Sequence, residues 1–304
     1  MDIVLLLLKQ NIIMFVYLLI GYFLFRKKLV STQGSADIGR MLLYAVMPVV
    51  IIKSYLVEFS LEKLEGLAIS FVLAALSLLL SILVSRVFFK KECGIERFGV
   101  AFSNAGFIGI PLVQMTLGEE AVFYVAAFVA LLNILQWTYG VLAITGDKSA
   151  VSIKKISTNP IVLSFLASIL LFLLPISLPA AVTGVIGTIA SMNGPLAMIV
   201  LGVYLAQVPL KELFTDKQVY KATAVRLLVI PALTIVLMLV FPSKYLLIKL
   251  TVMIAASAPI GSNVAIFAQI YGKDYTQAVK EICTSTLLCI ITLPIMIGIA
   301  NAIL

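Results

Sequence analysis

Histidine is absent from this sequence of 304 residues, and charged residues make up only 12% of it. Without histidine the chain has no His-based proton relay, no histidine zinc ligand and no Ser-His or Cys-His nucleophile. The three cysteines, Cys93, Cys283 and Cys289, follow no disulfide or metal-ligand spacing. We therefore predict no catalytic residues, no metal site, no cofactor and no enzyme activity.

The scarcity of charge accompanies a high apolar content of 62%. Soluble proteins carry about 25% charged residues, so this composition indicates a membrane protein. Apolar blocks recur at the length that crosses about 30 Å of hydrocarbon. We predict ten spans, at residues 3–25, 34–56, 64–89, 97–117, 120–144, 158–177, 180–207, 218–241, 246–271 and 276–303. The first block is too long for a signal peptide, and no soluble domain is expected outside the spans.

The net charge of +8 would suggest a nucleic-acid partner in a soluble protein. Here most of the Lys and Arg residues flank the odd-numbered loops between the predicted spans. Because basic loops stay on the cytoplasmic side, the odd loops are predicted to be cytoplasmic and both termini to lie outside the cell. The predicted surroundings are the lipid bilayer of the cell membrane, with no nucleic acid.

Two predicted spans are interrupted by glycine, proline and asparagine. The first interruption is Asn104-Ala-Gly-Phe-Ile-Gly-Ile-Pro111, and the second is Ala258-Pro-Ile-Gly-Ser-Asn263. Unpaired backbone groups in lipid are costly, so an unwound stretch persists only when buried in protein or lining a wet cavity. Matched breaks in two halves of a chain point to a substrate site at the membrane midplane. We predict that this site contains Asn104, Gly106, Gly109, Pro111, Pro259, Gly261 and Asn263.

The two halves of the sequence have their breaks and turns in the same order. Five spans per half is an odd number, so the second copy must cross the membrane in the opposite sense. We therefore predict an all-α polytopic membrane protein built from two inverted five-helix repeats with broken, crossing helices 4 and 9. The predicted repeats are residues 1–145 and 158–304, joined by a cytoplasmic linker at 146–157.

The breaks predict a chemistry for the site. A half-helix that begins at the midplane presents free N–H groups and a positive dipole end, both of which favour an anion. The alternative is a proline kink with glycine for close helix packing. The second and seventh spans carry similar breaks, which are kinks or a pocket wall on the scaffold side formed by Met47, Pro48, Met192, Asn193 and Pro195.

Charged side chains inside the predicted spans are few. Lys53, Lys249 and Arg226 are explained by side chains that extend along their helices to the membrane surface. Arg226 is the strongest candidate for an exception, because about 10 Å of helix separates it from the cytoplasmic edge. Glu281 and Asp37 lie near span ends, and no buried carboxylate is expected.

Three further polar residues are predicted to support the site. Asn133 and Gln136 in the fifth span would support the first broken helix through hydrogen bonds. Lys63 is either a solvated partner of Glu62 or an external group that attracts anions.

Three stretches resemble the auxin efflux carrier family. They are Phe102-Ser-Asn-Ala-Gly-Phe-Ile-Gly-Ile-Pro-Leu112, Asn193-Gly-Pro-Leu-Ala-Met-Ile-Val-Leu-Gly-Val-Tyr-Leu-Ala206 and Ala258-Pro-Ile-Gly-Ser-Asn263. The resemblance implies a fold like that of the bile-acid sodium symporters. Spans 1, 2, 6 and 7 would form a scaffold, and spans 3–5 and 8–10 a mobile transport domain.

The resemblance also implies residue roles. Asn104, Pro111 and Pro259 fall on the family's crossover, and Lys63 and Asn133 align with a polar supporting site of the plant carriers. The acidic partner expected there is replaced by Phe59, and the long hydrophilic loop of many plant members is absent. Auxin is therefore not implied as the substrate. Bacterial members are associated with malate, malonate and similar organic anions.

These observations predict an alternating-access carrier of a small organic anion, working in efflux or exchange. The alternative is a sodium-coupled organic-anion symporter of the bile-acid type. A channel and an intramembrane enzyme are weaker alternatives, the latter because no acid–base set is present. Coupling to protons or sodium, the direction of transport and a homodimeric assembly are left open.

Overall fold

The computed structural model describes residues 3–174, 178–213 and 215–304. Regular structure in these ranges is helical, apart from one isolated antiparallel bridge between Ser103 and Ile260. In the first half the helices are α1 (Ile3–Arg26), α2 (Thr32–Tyr55), α3 (Leu61–Phe88), α4 (Gly94–Ala101), α5 (Ala105–Leu117) and α6 (Glu119–Thr145). They continue as α7 (Ile153–Ser157), α8 (Pro160–Leu173), α9 (Ala180–Gln207), α10 (Leu210–Leu213), α11 (Lys217–Met238), α12 (Leu246–Ser257), α13 (Asn263–Ile270) and α14 (Tyr275–Ile303).

Seven of these helices are long and apolar enough to cross a membrane on their own: α1, α2, α3, α6, α9, α11 and α14. The predicted fourth span is divided into α4 and α5, and the predicted ninth span into α12 and α13. The sixth corresponds to α8, which meets the preceding segment at a bend of 41°. Its predicted end at residue 177 lies outside the described residues. The chain is thus an all-helical polytopic membrane protein, and the inverted repeat stays a prediction.

Three prolines lie just after a widened, π-helical turn. These turns are Leu42–Val46 before Pro48, Ala105–Gly109 before Pro111 and Val225–Val229 before Pro231. Proline has no N–H and its ring clashes with the carbonyl four residues earlier. A π turn, with its i→i+5 hydrogen bonds, relieves this clash without ending the helix. Pro48, Pro111 and Pro231 therefore lie in helices that continue through them without unwinding.

Helix α1 packs along α9 through two glycines that face the opposite backbone. A methyl group at Gly202 would collide with the Leu18 carbonyl oxygen, and one at Gly21 with the Ile199 carbonyl oxygen. Helix α2 packs against α8 and the first half of α9. In a second group, α3 and helices of both broken spans pack against α6, which is the most enclosed of the spanning helices, while α14 packs against α11, α12 and α13. The broken pairs α4–α5 and α12–α13 lie in this second group.

Candidate functional site

Each of the two broken spans contains a short non-helical segment between its two helices. Helix α4 ends at Ala101, the chain is extended at Phe102, and α5 begins at Ala105. Helix α12 ends at Ser257 and α13 begins at Asn263. The predicted opening from Asn104 to Pro111 is therefore wrong in position. The proline widens a helical turn, and the chain is unwound only on the N-terminal side of Ala105.

The two non-helical segments cross and pair with each other. The Asn104 N–H donates to the Pro259 carbonyl oxygen at 2.8 Å, and the Gly261 N–H donates to the Phe102 carbonyl oxygen at 3.0 Å. A third helix, α14, satisfies the next group, because the Ile260 N–H donates to Ser285 Oγ at 3.1 Å. Peptide groups that lost their helical partners thus find partners across the crossover, as burial in a membrane requires.

Gly261 is needed where the segments approach most closely. A methyl group there would lie 3.0 Å from the Ser103 carbonyl oxygen and 3.2 Å from that of Phe102. Both oxygens belong to backbone that is held by the crossover hydrogen bonds. Any larger residue would push the two strands apart.

Arg226 in α11 binds the carbonyl ends of both broken helices. Its side chain is 1% exposed. Its Nε donates to the Ala258 carbonyl oxygen at 3.1 Å, and its Nη1 donates to that of Val100 at 3.0 Å. Its Nη2 donates to the Ala256 carbonyl oxygen. A helix C-terminus carries partial negative charge and unpaired carbonyls, so one guanidinium neutralises two such ends. Arg226, the strongest candidate for an exception among the charged residues of the spans, therefore does not extend to the membrane surface.

The opposite ends, the N-termini of α5 and α13, face a small cavity beside the crossover. Asn104, Ser103 and Ser262 line it, together with Gln136 from α6. Four donor atoms of these residues are buried without a hydrogen-bond partner in the described part of the chain: Ser103 Oγ, Asn104 Nδ2, Gln136 Nε2 and Ser262 Oγ. Two helix N-termini and several unused donors suit a negatively charged ligand.

The cavity is too small for an organic anion in this conformation. Its volume is about 20 Å³, which has room for a water molecule, since about 10–15 Å³ suffices for one. Its apolar wall includes Met47 and Val129, and no residue that lines it is charged. A ligand larger than water therefore needs the surrounding helices to separate.

The predicted supporting residues are only partly brought together. Asn263 Nδ2 donates to Gln136 Oε1 at 2.8 Å, so Gln136 holds the start of α13 rather than that of α5. Asn133 lines the same cavity, with its Nδ2 donating to the Val129 carbonyl oxygen within α6. Lys63 lies elsewhere and donates to the Glu58 carbonyl oxygen at 3.1 Å.

Of the residues predicted in the second and seventh spans, some contact the first broken span. Asn193 Nδ2 donates to the Gly106 carbonyl oxygen at 3.0 Å, and Met47 packs beside Gly106. Gly194 lies against Pro111. Met192 is 37% exposed, and the cavity lining does not include it.

The cavity lining also excludes several glycines and prolines predicted at the site: Pro48, Gly109, Pro111, Pro195 and Pro259. The structure shows other contacts for three of them. The Pro259 carbonyl oxygen accepts the crossover hydrogen bond from Asn104, and Pro111 lies against Gly194. Gly109 faces the backbone of Ala255. These residues shape the crossover rather than line the cavity.

A larger pocket of about 520 Å³ opens at the end of the molecule where α5 joins α6. Lys53, Lys63, Glu119 and Glu120 line it. Lys53 Nζ forms an ion pair with Glu119 Oε1 at 2.9 Å, and Gln114 Nε2 donates to the same oxygen at 2.7 Å. Lys53, expected to reach the membrane surface alone, thus connects α2 to the start of α6. We call this space the α5–α6 pocket.

Broken helices that cross beside a closed polar cavity define a membrane transport protein. The family model described as membrane transport protein matches residues 6–297. The chain therefore belongs to this family, the auxin efflux carrier family.

One relative comes from Rhizobium meliloti (strain 1021) and is named "Putative malonate transporter". It is 26% identical over 210 residues, which make up 66% of this chain and 65% of that protein. The match therefore spans just under two thirds of the relative's length.

Proposed function

We propose that the chain is an alternating-access carrier for a small organic anion, a mono- or dicarboxylate, held at the crossover. The observation that carries the proposal is the set of unpartnered donors on Ser103, Asn104, Gln136 and Ser262 beside two helix N-termini. A buried donor without a partner loses free energy that a carboxylate oxygen restores. The name of the Rhizobium relative makes malonate the first anion to test.

The movement that opens the cavity is proposed to separate two groups of helices. Helices α1, α2, α8 and α9 would form the scaffold, and the others the transport domain. The packing of α1 on α9 and of α2 on α8 supports this division. Asn193 and Met47, from the scaffold side, close the cavity over Gly106. Displacement of the transport domain would uncover the crossover on one side of the membrane at a time.

The α5–α6 pocket is proposed as the outer vestibule of the carrier. Its volume exceeds that of the crossover cavity many times. Lys53 and Lys63 would attract anions there. This orientation follows the distribution of basic loops and places both termini outside the cell membrane.

Counterflow in liposomes tests the proposal. Purified protein is reconstituted with unlabelled malonate inside, and uptake of labelled malonate is measured. We expect saturable uptake that Asn104→Ala abolishes, because the substrate loses a donor at the crossover. Asn301→Ala, an exposed asparagine at the end of α14, is the matched control and retains uptake. Equal uptake by both variants would remove the crossover from the mechanism.

A sodium-coupled symporter of the bile-acid type is the second candidate. The unpartnered oxygens Ser103 Oγ, Ser262 Oγ and Asn193 Oδ1 lie at or beside the crossover and favour it. Hard cations take oxygen ligands, although no carboxylate lines the cavity. If counterflow and uptake in sodium-free buffer proceed at the rate measured with sodium, this candidate is excluded.

A further inference from the structure

Glu281 is a fully buried carboxylate in the second turn of α14. Its side chain is 0% exposed, and neither carboxylate oxygen has a hydrogen-bond partner among the described residues. An ionised carboxylate in such surroundings is strongly disfavoured, and the neutral acid replaces it. The expectation from sequence that no buried carboxylate is present is therefore wrong. Glu281 lies near the end of a predicted span, yet its side chain is not accessible to solvent.

The charged groups around Glu281 do not compensate a negative charge. Glu96 of α4 and Asp216, the residue before α11, act on it electrostatically, and the Gln277 amide acts on it from one turn earlier in α14. On its own helix, Lys280 is engaged in an ion pair with Glu212 of α10, with 2.7 Å between Nζ and Oε2. The charged groups that act on Glu281 from other parts of the chain are thus acidic.

The other basic residues on the helices that pack against α14 are placed away from Glu281. Arg226 of α11 donates to backbone carbonyls at the crossover. Arg97 of α4 donates to the Phe89 carbonyl oxygen. The remaining basic residues on these helices and in the turn before α14 are exposed: Lys9, Arg26, Lys211, Lys217, Lys221 and Lys273. Lys249 lies in the first turn of α12, at the opposite end of that broken span from the start of α14. In the described chain no salt bridge reaches Glu281.

A polar pocket lies at the start of α14, and Gln277, one turn before Glu281, lines it. It has a volume of about 470 Å³, and Glu96, Asp216, Gln218 and Gln277 line it. Glu96 is only 6% exposed, and its Oε1 accepts hydrogen bonds from Gln218 Nε2 at 2.7 Å and Gln277 Nε2 at 3.5 Å. We call this space the Glu96 pocket. It opens beside the start of α4, at the other end of the broken span from the α5–α6 pocket.

Glu281 also touches the crossover through two neighbours. A methyl group at Gly99, one turn after Glu96 in α4, would lie 2.7 Å from Glu281 Oε2 and 3.1 Å from Ile260 Cγ2. Ser285 follows Glu281 by four residues, on the same face of α14, and its Oγ accepts the Ile260 N–H at 3.1 Å. The carboxyl group therefore lies about one helical turn, about 5.4 Å of rise, from the crossover.

We infer that Glu281 is a proton-binding site that couples proton movement to anion transport, with the Glu96 pocket as its path to water. The inference rests on the proposed transport function. A hydronium ion in the pocket transfers its proton to a Glu281 carboxylate oxygen, which leaves water and a neutral carboxylic acid. The neutral form fits the closed conformation described above. Entry of water from the Glu96 pocket hydrates the group, and the proton returns to water.

Two transport modes in liposomes test the inference. With the membrane potential clamped, an inward proton gradient of about one pH unit drives about tenfold accumulation of malonate at one proton per anion. We expect this accumulation in the wild type and its loss in Glu281→Gln, whose amide cannot exchange a proton. Counterflow without a pH gradient continues in Glu281→Gln. Glu62→Gln, which removes an exposed carboxylate from α3, keeps both activities.

The outcomes separate the inference from the proposed function. Absence of counterflow in the wild type would refute the transport of malonate itself. Counterflow in the wild type without any response to the pH gradient would overturn only the proton site. Accumulation retained in Glu281→Gln would overturn it as well.

An infrared measurement tests the inference even if Glu281→Gln does not fold. The wild-type protein at neutral pH should show the carbonyl stretching band of a protonated carboxylic acid, and Glu281→Asp should shift that band while retaining gradient-driven accumulation. Absence of the band in the wild type, or an unshifted band in Glu281→Asp, would contradict the inference.

Discussion

At the scale of single residues, the crossover depends on side chains that form hydrogen bonds where the helices break. Arg226 supplies donors to three carbonyl groups, Ser285 supplies an acceptor, and Gln136 holds Asn263. Each of these groups is buried, so a missing partner would leave an unpaired polar atom in apolar surroundings. The geometry of the anion site therefore depends on residues that do not face the anion.

Replacing Arg226 should destabilise the whole protein. In Arg226→Leu the carbonyl groups of Val100, Ala256 and Ala258 lose their buried donor, at about 1–3 kcal/mol each. We expect a loss of about 3 kcal/mol or more in the free energy of unfolding, measured by thermal unfolding in detergent. Arg40→Leu removes an exposed guanidinium that pairs with Asp37 and should change stability by less than about 0.5 kcal/mol. Equal unfolding temperatures for the two variants would contradict this role.

Sequence reasoning found part of the residue-level site. Asn104 and Asn263 were predicted because an amide in a broken span is unusual, and both lie at the cavity. Ser103 and Ser262 were missed because serine is common in membrane helices and gives no signal of its own. The sequence does not predict the burial of Glu281 or the partners of Arg226, since both depend on helices distant in sequence that a linear pattern does not position.

At the scale of helices, proline and glycine have separable effects. Pro48, Pro111 and Pro231 each follow a π-helical turn and keep their helices continuous. The unwound segments instead coincide with Phe102–Asn104 and with the residues around Pro259 and Gly261, where crossover pairing replaces helical hydrogen bonds. The sequence predicts which helices break. The residue at which each opens is set by the partner strand.

Close contact between α1 and α9 should depend on Gly202. Gly202→Ala places a methyl group against the Leu18 carbonyl oxygen, and overpacking of this kind costs about 1–3 kcal/mol. Gly187→Ala in the same helix meets no atom within 4 Å and should stabilise by about 0.5–1 kcal/mol, since alanine is the better helix former. Opposite shifts of the unfolding temperature are expected. Shifts of the same sign and size would show that α1 does not approach α9 at Gly202.

At the scale of the whole molecule, the proposed transport mechanism requires the two helix groups to separate. The ion pair between Lys53 of α2 and Glu119 of α6 joins these groups at the α5–α6 pocket. The sequence alone predicted a polytopic helical transporter and the pairing of its breaks. Which surfaces meet between the groups could not be predicted, because apolar faces in a membrane protein give the same pattern whether they contact lipid or another helix. A homodimer stays a prediction for the same reason.

Cross-linking tests whether the helix groups move. In a cysteine-free background, Lys53→Cys and Glu119→Cys are joined by a short, reducible bifunctional thiol reagent, and malonate counterflow should stop until reductant is added. The control pair, Glu65→Cys and Lys244→Cys, replaces an ion pair of 3.0 Å within the proposed transport domain. Joining that pair should leave counterflow intact. Continued counterflow with Lys53 and Glu119 positions joined would contradict domain separation.

Binding of an organic anion to the purified protein tests the central proposal most directly. A ligand that binds only the folded state stabilises it, by about 2.7 kcal/mol at 100 times its dissociation constant. In sodium-free buffer we expect malonate to raise the unfolding temperature of the wild type and not that of Asn104→Ala. Malonamide, its uncharged analogue, should raise neither. Equal stabilisation of both proteins by malonate would contradict an anion site at the crossover.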